Sequence, residues 1–234
     1  MTITRYCFAG VLALMLIGCT SKETEVPVVP APQLENGSSA SDSKDASDEI
    51  VIVFLGDSIT AGYGIAREDA FPARVEQELL SAGYPVRVRE AGVSGETTAG
   101  GLRRIDWILN QHVDILVIEL GGNDGLRGIP VDEVERNLRA MIDRARKSNP
   151  AIKIIVAGMQ VPPNMGQSYS QAFGDVFARV ATDEGTELIP FILQGVGGNP
   201  QLNQADGIHP TEEGHEIISE TVLDALTPVV TDLR

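Results

Sequence analysis

Three apolar runs constrain this chain more than any other feature: Ile50-Val51-Ile52-Val53, Asp114 to Glu119 and Ile152 to Ala157. Each is too short for a helix and rich in β-branched residues, the composition of a strand buried on both faces of a parallel sheet. Between them the apolar period becomes helical. Phe71, Val75 and Leu79 recur four apart, with Pro72 suited to a first turn. Leu102, Ile105 and Leu109 repeat the pattern, and Val131, Val134, Leu138, Met141, Ile142 and Ala145 give the clearest stripe. A helix is expected over Tyr169 to Glu184 and a last one over Thr211 to Leu226. Short strands are expected at Val86 to Val88 and Glu187 to Ile189. Repeated strand–helix units imply a parallel sheet with helices on both faces. A chain of 234 residues then holds one α/β domain, from residue 50 to 234.

The first 49 residues read differently. Arg5 precedes an apolar run, Phe8 to Ile17, of signal-peptide length. It ends in Leu16-Ile17-Gly18-Cys19, which resembles a bacterial lipobox. That resemblance implies a lipoprotein signal over 1–18, with Cys19 lipidated as the first mature residue. Residues 19–49 then form a linker rich in Ser, Ala, Pro, Asp and Glu. It has too few large apolar side chains to offset its ordering entropy. The only cysteines are Cys7 and Cys19, so neither a disulfide nor a thiol nucleophile is expected in the domain. The implied location is the bacterial cell envelope, lipid-anchored and facing the periplasm. A net charge of -15 argues against nucleic acid as a partner.

Four motifs sit where the pattern places strand ends or helix starts. Gly56-Asp57-Ser58 follows the first strand. A serine at such a turn can present its hydroxyl to a substrate and its N–H to an oxyanion; Ser and Asp also cap helices. In Gly92-Val93-Ser94-Gly95-Glu96-Thr97, Gly95 allows close backbone approach, though taken alone the segment reads first as a turn into a Thr-capped helix. In Leu120-Gly121-Gly122-Asn123-Asp124-Gly125, the Asn123 amide could donate to an oxyanion, or the segment could be a simple turn. In Asp206-Gly207-Ile208-His209-Pro210, the spacing lets one turn hold a base and the carboxylate that orients it. Pro210 is suited to start the following helix. His112, at a helix-to-strand junction, and His215, within the last helix, read as structural or solvated. No G-x-S-x-G, P-loop or metal-ligand spacing occurs.

Together the four motifs resemble those of the SGNH (GDSL) hydrolases, whose Ser, Gly, Asn and His fall here at Ser58, Gly95, Asn123 and His209, in the family order. The resemblance is strongest to the bacterial thioesterase, lysophospholipase and arylesterase group and covers about Ile50 to Val229. It implies a flavodoxin-like three-layer (αβα) domain with a five-stranded parallel sheet. It further implies hydrolysis of acyl esters, thioesters or lysophospholipids by a monomer, with no cofactor and no metal. Ser58 would be the nucleophile, His209 the base and Asp206 its orienting group. The Ser58 and Gly95 N–H groups and the Asn123 amide would form the oxyanion hole. A carbohydrate acetyl esterase of the same fold and a catalytically silent ligand-binding lipoprotein are the alternatives. The glycine-rich segment after Asn123 is expected to be loosely packed and able to close over an acyl chain.

Overall fold

The computed structural model describes residues 49–234. The expected signal segment and all of the linker but Glu49 lie outside the described residues. Five parallel strands form one sheet: β1 (Ile50–Gly56), β2 (Val86–Gly92), β3 (Ile115–Glu119), β4 (Lys153–Ala157) and β5 (Glu187–Ile189). Their spatial order is β2-β1-β3-β4-β5, the flavodoxin-like order with its switch point between β1 and β3. The helices are α1 (Phe71–Ser81), α2 (Thr98–Leu109), α3 (Gly122–Leu126), α4 (Val131–Ser148), α5 (Gln167–Glu184) and α6 (Glu212–Asp232). The β1-to-β2 crossover runs one way along the sheet and the later ones run the other. Right-handed crossovers therefore put α1 on one face and α2, α4 and α5 on the opposite face. α6 packs on α1, which completes the three layers.

Every residue of β1 and β3 is buried, which accounts for apolar runs without alternation. On α4 the stripe of Val134, Leu138, Met141, Ile142 and Ala145 is buried. Asp132 and Glu133 open that helix and Arg146 and Lys147 close it, complementing its dipole. Trp107, the one tryptophan of the chain, is 72% exposed on α2.

The strands carry further toward the carboxyl edge than their apolar runs. β1 continues to Gly56 and β2 to Gly92, and in register Gly56 lies level with both Gly92 and Glu119. Three segments therefore leave the sheet at one height, at the edge where open α/β sheets bind ligands. At the other end of the chain, α6 passes through Pro228 to Asp232, beyond the expected Leu226. Buried Val229 and Val230 hold that last stretch onto the domain. Pro210 does not begin α6. Thr211 caps it, accepting from the Gly214 N–H at 3.2 Å, and Pro210 instead bridges Asn203.

Leu138 on α4 is wholly buried in the core. Leu138→Ala should cost about 2–5 kcal/mol of stability, measured by urea unfolding, with the folded variant keeping its secondary structure by circular dichroism.

Candidate active site

The turn after β1 is held from below. Glu119, the last residue of β3, is fully buried. Its Oε2 accepts from the Asp57 N–H at 3.3 Å, the Thr60 N–H at 3.2 Å and the Thr60 hydroxyl at 2.6 Å. Gly56 is needed for this closeness, because a Cβ there would lie 2.0 Å from Thr60 Oγ1 and 2.4 Å from Glu119 Oε2. The turn tightens further as Ser58 O accepts from the Tyr63 N–H at 3.0 Å. Ser58 caps no α-helix: α1 begins only at Phe71, after Ala70.

The histidine comes from the connection between β5 and α6. Its base is a narrow hairpin, in which the Thr211 N–H donates to Leu202 O at 2.9 Å and the Gln204 N–H to His209 O at 2.7 Å. At its tip, Asp206 Oδ1 accepts from the N–H groups of Ile208 and His209 at 2.9 and 3.0 Å. Asp206 Oδ2 lies 2.6 Å from His209 Nδ1, and His209 Nε2 lies 2.9 Å from Ser58 Oγ. The His209 ring, helped by the two backbone N–H groups, holds the Asp206 carboxyl well below the usual carboxylate range. With Nδ1 donating to that carboxylate, Nε2 of the neutral ring faces Ser58 as an acceptor.

Gly95 follows β2 at φ +79°, a conformation that favours glycine. Asn123 lies on α3, and its Nδ2 donates to Asp57 Oδ2 at 2.9 Å. Ser58, Gly95, Asn123 and His209 all line one cleft of about 640 Å³. Its walls are largely apolar, with Ile59, Tyr63, Leu126, Met159, Val161, Phe191, Leu193 and Ile208 among them. The structure thus brings together all five side chains and glycines that the motifs single out, Asp206 standing behind His209. His112 and His215 lie elsewhere. His112 pairs with Asp114 at 2.8 Å near the surface. His215 is buried, accepts from the Phe71 N–H at 3.2 Å and is pushed down to about 4 by burial. Among the described residues no cluster of three His, Cys, Asp or Glu could hold a metal. None of the described helices is long and apolar enough to cross a membrane.

Three acidic residues matter here that motif reading passed over. Burial pushes Asp57 up to about 6, against hydrogen bonds from Ile59 and Asn123. Burial, then the Asp57 charge, holds Glu119 well above the usual range. A lone Glu ending an apolar strand was the available signal. Asp124 is also buried. It accepts from the Thr98 N–H at 2.8 Å and the Thr98 hydroxyl at 2.6 Å, while Asn137 donates to Thr98 Oγ1 at 3.0 Å. These bonds fasten α3 to the start of α2, and through Thr98 to Asn137 of α4. The expectation of a loosely packed segment after Asn123 is therefore corrected. Gly122–Leu126 is helical with Asp124 and Gly125 buried, and a Cβ on Gly125 would lie 2.2 Å from Val161. The glycines serve close packing there. Leu126 and, beyond it, Arg127 and Gly128 are exposed, Leu126 lining the cleft.

A doubly wound sheet with this line of hydrogen bonds at its carboxyl edge is the SGNH-hydrolase arrangement. The chain belongs to the GDSL-like Lipase/Acylhydrolase family, which matches residues 54–217. It is 41% identical over 180 residues to the esterase TesA of Pseudomonas aeruginosa, covering 76% of this chain and 89% of that one. It is 34% identical over 186 residues to thioesterase 1/protease 1/lysophospholipase L1 of Escherichia coli, covering 79% and 86%. The crystal structure of TesA superposes with a TM-score of 0.73 at 41% identity, covering 76% of this chain and 98% of that one.

Asp57 gives a test by linkage. Its folded value near 6 exceeds the ordinary 3.8, so between them the folded state binds more protons and loses stability as pH rises. Asp57→Asn removes that loss. From pH 4 to pH 6.5 the variant should gain about 1–3 kcal/mol relative to wild type in urea unfolding; a constant difference would mean Asp57 ionises freely.

Proposed function

We propose that this protein hydrolyses acyl esters and thioesters by nucleophilic catalysis at Ser58. The observation that carries the reading is the unbroken line from Asp206 Oδ2 through His209 to Ser58 Oγ, with steps of 2.6 and 2.9 Å, opening into an apolar cleft. His209 Nε2 takes the Ser58 proton as Oγ attacks the acyl carbon, and the Asp206 carboxylate steadies the imidazolium that forms. The tetrahedral oxyanion is bound by the N–H groups of Ser58 and Gly95 and by the Asn123 amide. Among the described residues neither N–H is engaged by another protein group. Asn123 Nδ2 gives one hydrogen to Asp57 and keeps its second available. His209 then protonates the leaving alcohol or thiol. Water hydrolyses the acyl-enzyme by the same route.

The apolar walls favour an acyl chain over an acetylated sugar, and the complete hydrogen-bonded line argues against a silent binding protein. All of these groups come from one chain, which suits action as a monomer. The motif at Cys19 supports a lipid anchor in the bacterial envelope, facing the periplasm, and with it substrates at a membrane such as lysophospholipids.

Ser58→Ala and His209→Ala should each lower turnover of p-nitrophenyl acetate by several orders of magnitude, the two acting as one unit. Asn123→Ala should cost on the order of 10²–10³ in kcat with little change in KM. Near-normal activity in Ser58→Ala would remove the assignment.

The anchor is tested separately. Globomycin-sensitive processing and acyl labelling should be present in the full chain and absent in Cys19→Ala. Equal labelling of the two would exclude Cys19 as the lipidated residue.

A further inference from the structure

Ser58 and His209 belong to connections far apart in sequence. Among the described residues, only two hydrogen bonds join the turn carrying Ser58 to the hairpin carrying His209. One is the Ser58–His209 bond itself. The other is made by Gln204, whose Nε2 donates to Tyr63 O at 2.7 Å and also to Pro210 O at 2.9 Å. A primary amide nitrogen has two hydrogens, so both acceptors are served at once.

The bridge is built at both ends. The Gln204 backbone is fixed in the hairpin, its N–H donating to His209 O at 2.7 Å and its carbonyl accepting from Gly207 at 2.9 Å. Tyr63, whose carbonyl it grips, donates its own N–H to Ser58 O at 3.0 Å. The Tyr63 ring also lies against the His209 imidazole, with centroids 4.4 Å apart. Gly64 leaves room for the bridge, since a Cβ there would lie 2.2 Å from Gln204 Oε1. Three hydrogen bonds thus connect the nucleophile's backbone to the histidine's without using the serine hydroxyl.

That independence matters after the first half of the reaction. Once Oγ is bonded to the acyl carbon, the serine proton has left with the alcohol or thiol. Ser58 then has no hydrogen to give His209, and one of the two links between turn and hairpin is weakened. In the second half, water attacks the acyl carbon and gives its proton to Nε2. The Oγ–C bond breaks, Oγ takes that proton back, and the carboxylic acid leaves. Nε2 must stay over the acyl group throughout, and a 1 Å displacement of a catalytic group can cost about 10²-fold.

We propose that Gln204 is a positioning residue that keeps His209 over the acylated Ser58, so that its loss slows deacylation more than acylation. This rests on Ser58 being the nucleophile. The test uses Gln204→Met and Gln204→Glu, which keep the side-chain length and remove both donors. With p-nitrophenyl dimethylcarbamate, attack on Ser58 is read as p-nitrophenol release. Hydrolysis of the carbamoyl-enzyme is read as the return of esterase activity. Hydrolysis should slow by about 10–100-fold in both variants, and attack by much less. Equal slowing of the two steps, or of neither, overturns the role of Gln204 while leaving the nucleophile intact. A wild-type enzyme that is never carbamoylated at Ser58 overturns the parent reading and this inference with it. If neither variant folds, the crystal structure of wild-type enzyme phosphonylated on Ser58 decides. His209 in place with the Gln204–Tyr63 bond intact supports the role, and His209 in place with that bond broken overturns it.

Discussion

The carboxyl of Glu119 is the contact on which the site rests. It ends β3, lies wholly inside the protein, and gathers three donors from the turn that carries Ser58. Those donors are buried and would each be costly if left unpaired. Burial and the Asp57 charge hold this carboxyl well above the usual range, and its Oε2 alone accepts from the turn. The same strand end leads through Leu120, Gly121 and Gly122 to Asn123. Ser58 and Asn123 therefore share one anchor, and Asp57 ties them again through the Asn123 amide.

Three carboxyl groups stand close to the reacting atoms in three protonation regimes, each set by its surroundings. Asp206, near the surface with donors on both oxygens, remains charged. Asp57, buried but given two donors, titrates near 6. Glu119, buried deeper and beside Asp57, is held well above the usual range. Asp206 thus keeps its charge beside the imidazole, while burial raises both carboxyls beneath the turn.

Much of this was legible in the chain. The runs at Ile50, Asp114 and Ile152 are strands because nothing but a doubly covered sheet buries them. The α4 stripe is a helix because its period admits no other reading. The four motifs name the groups at the cleft because catalysis by serine needs those residue types in one place. What stayed hidden depends on packing between distant segments. Strand ends at Gly56 and Gly92 are set by register with neighbours. α3 contains three glycine or aspartate residues in five positions, so its helicity comes from Asp124 gripping Thr98 and Gly125 fitting against Val161. Asp57, Glu119 and Gln204 carry no periodicity, and their roles exist only once separate loops meet.

One consequence concerns the light this protein emits. Its single tryptophan, Trp107, sits exposed near the far end of α2, whose first residue, Thr98, marks the catalytic edge. The indole is already in water, about 14 Å along the helix from that edge. Its fluorescence will barely change when a ligand fills the cleft or when the core opens. The cleft's own ring, Tyr63, is the chromophore beside the chemistry. A tryptophan placed in the apolar wall would turn an optically quiet enzyme into one that reports on its own occupancy.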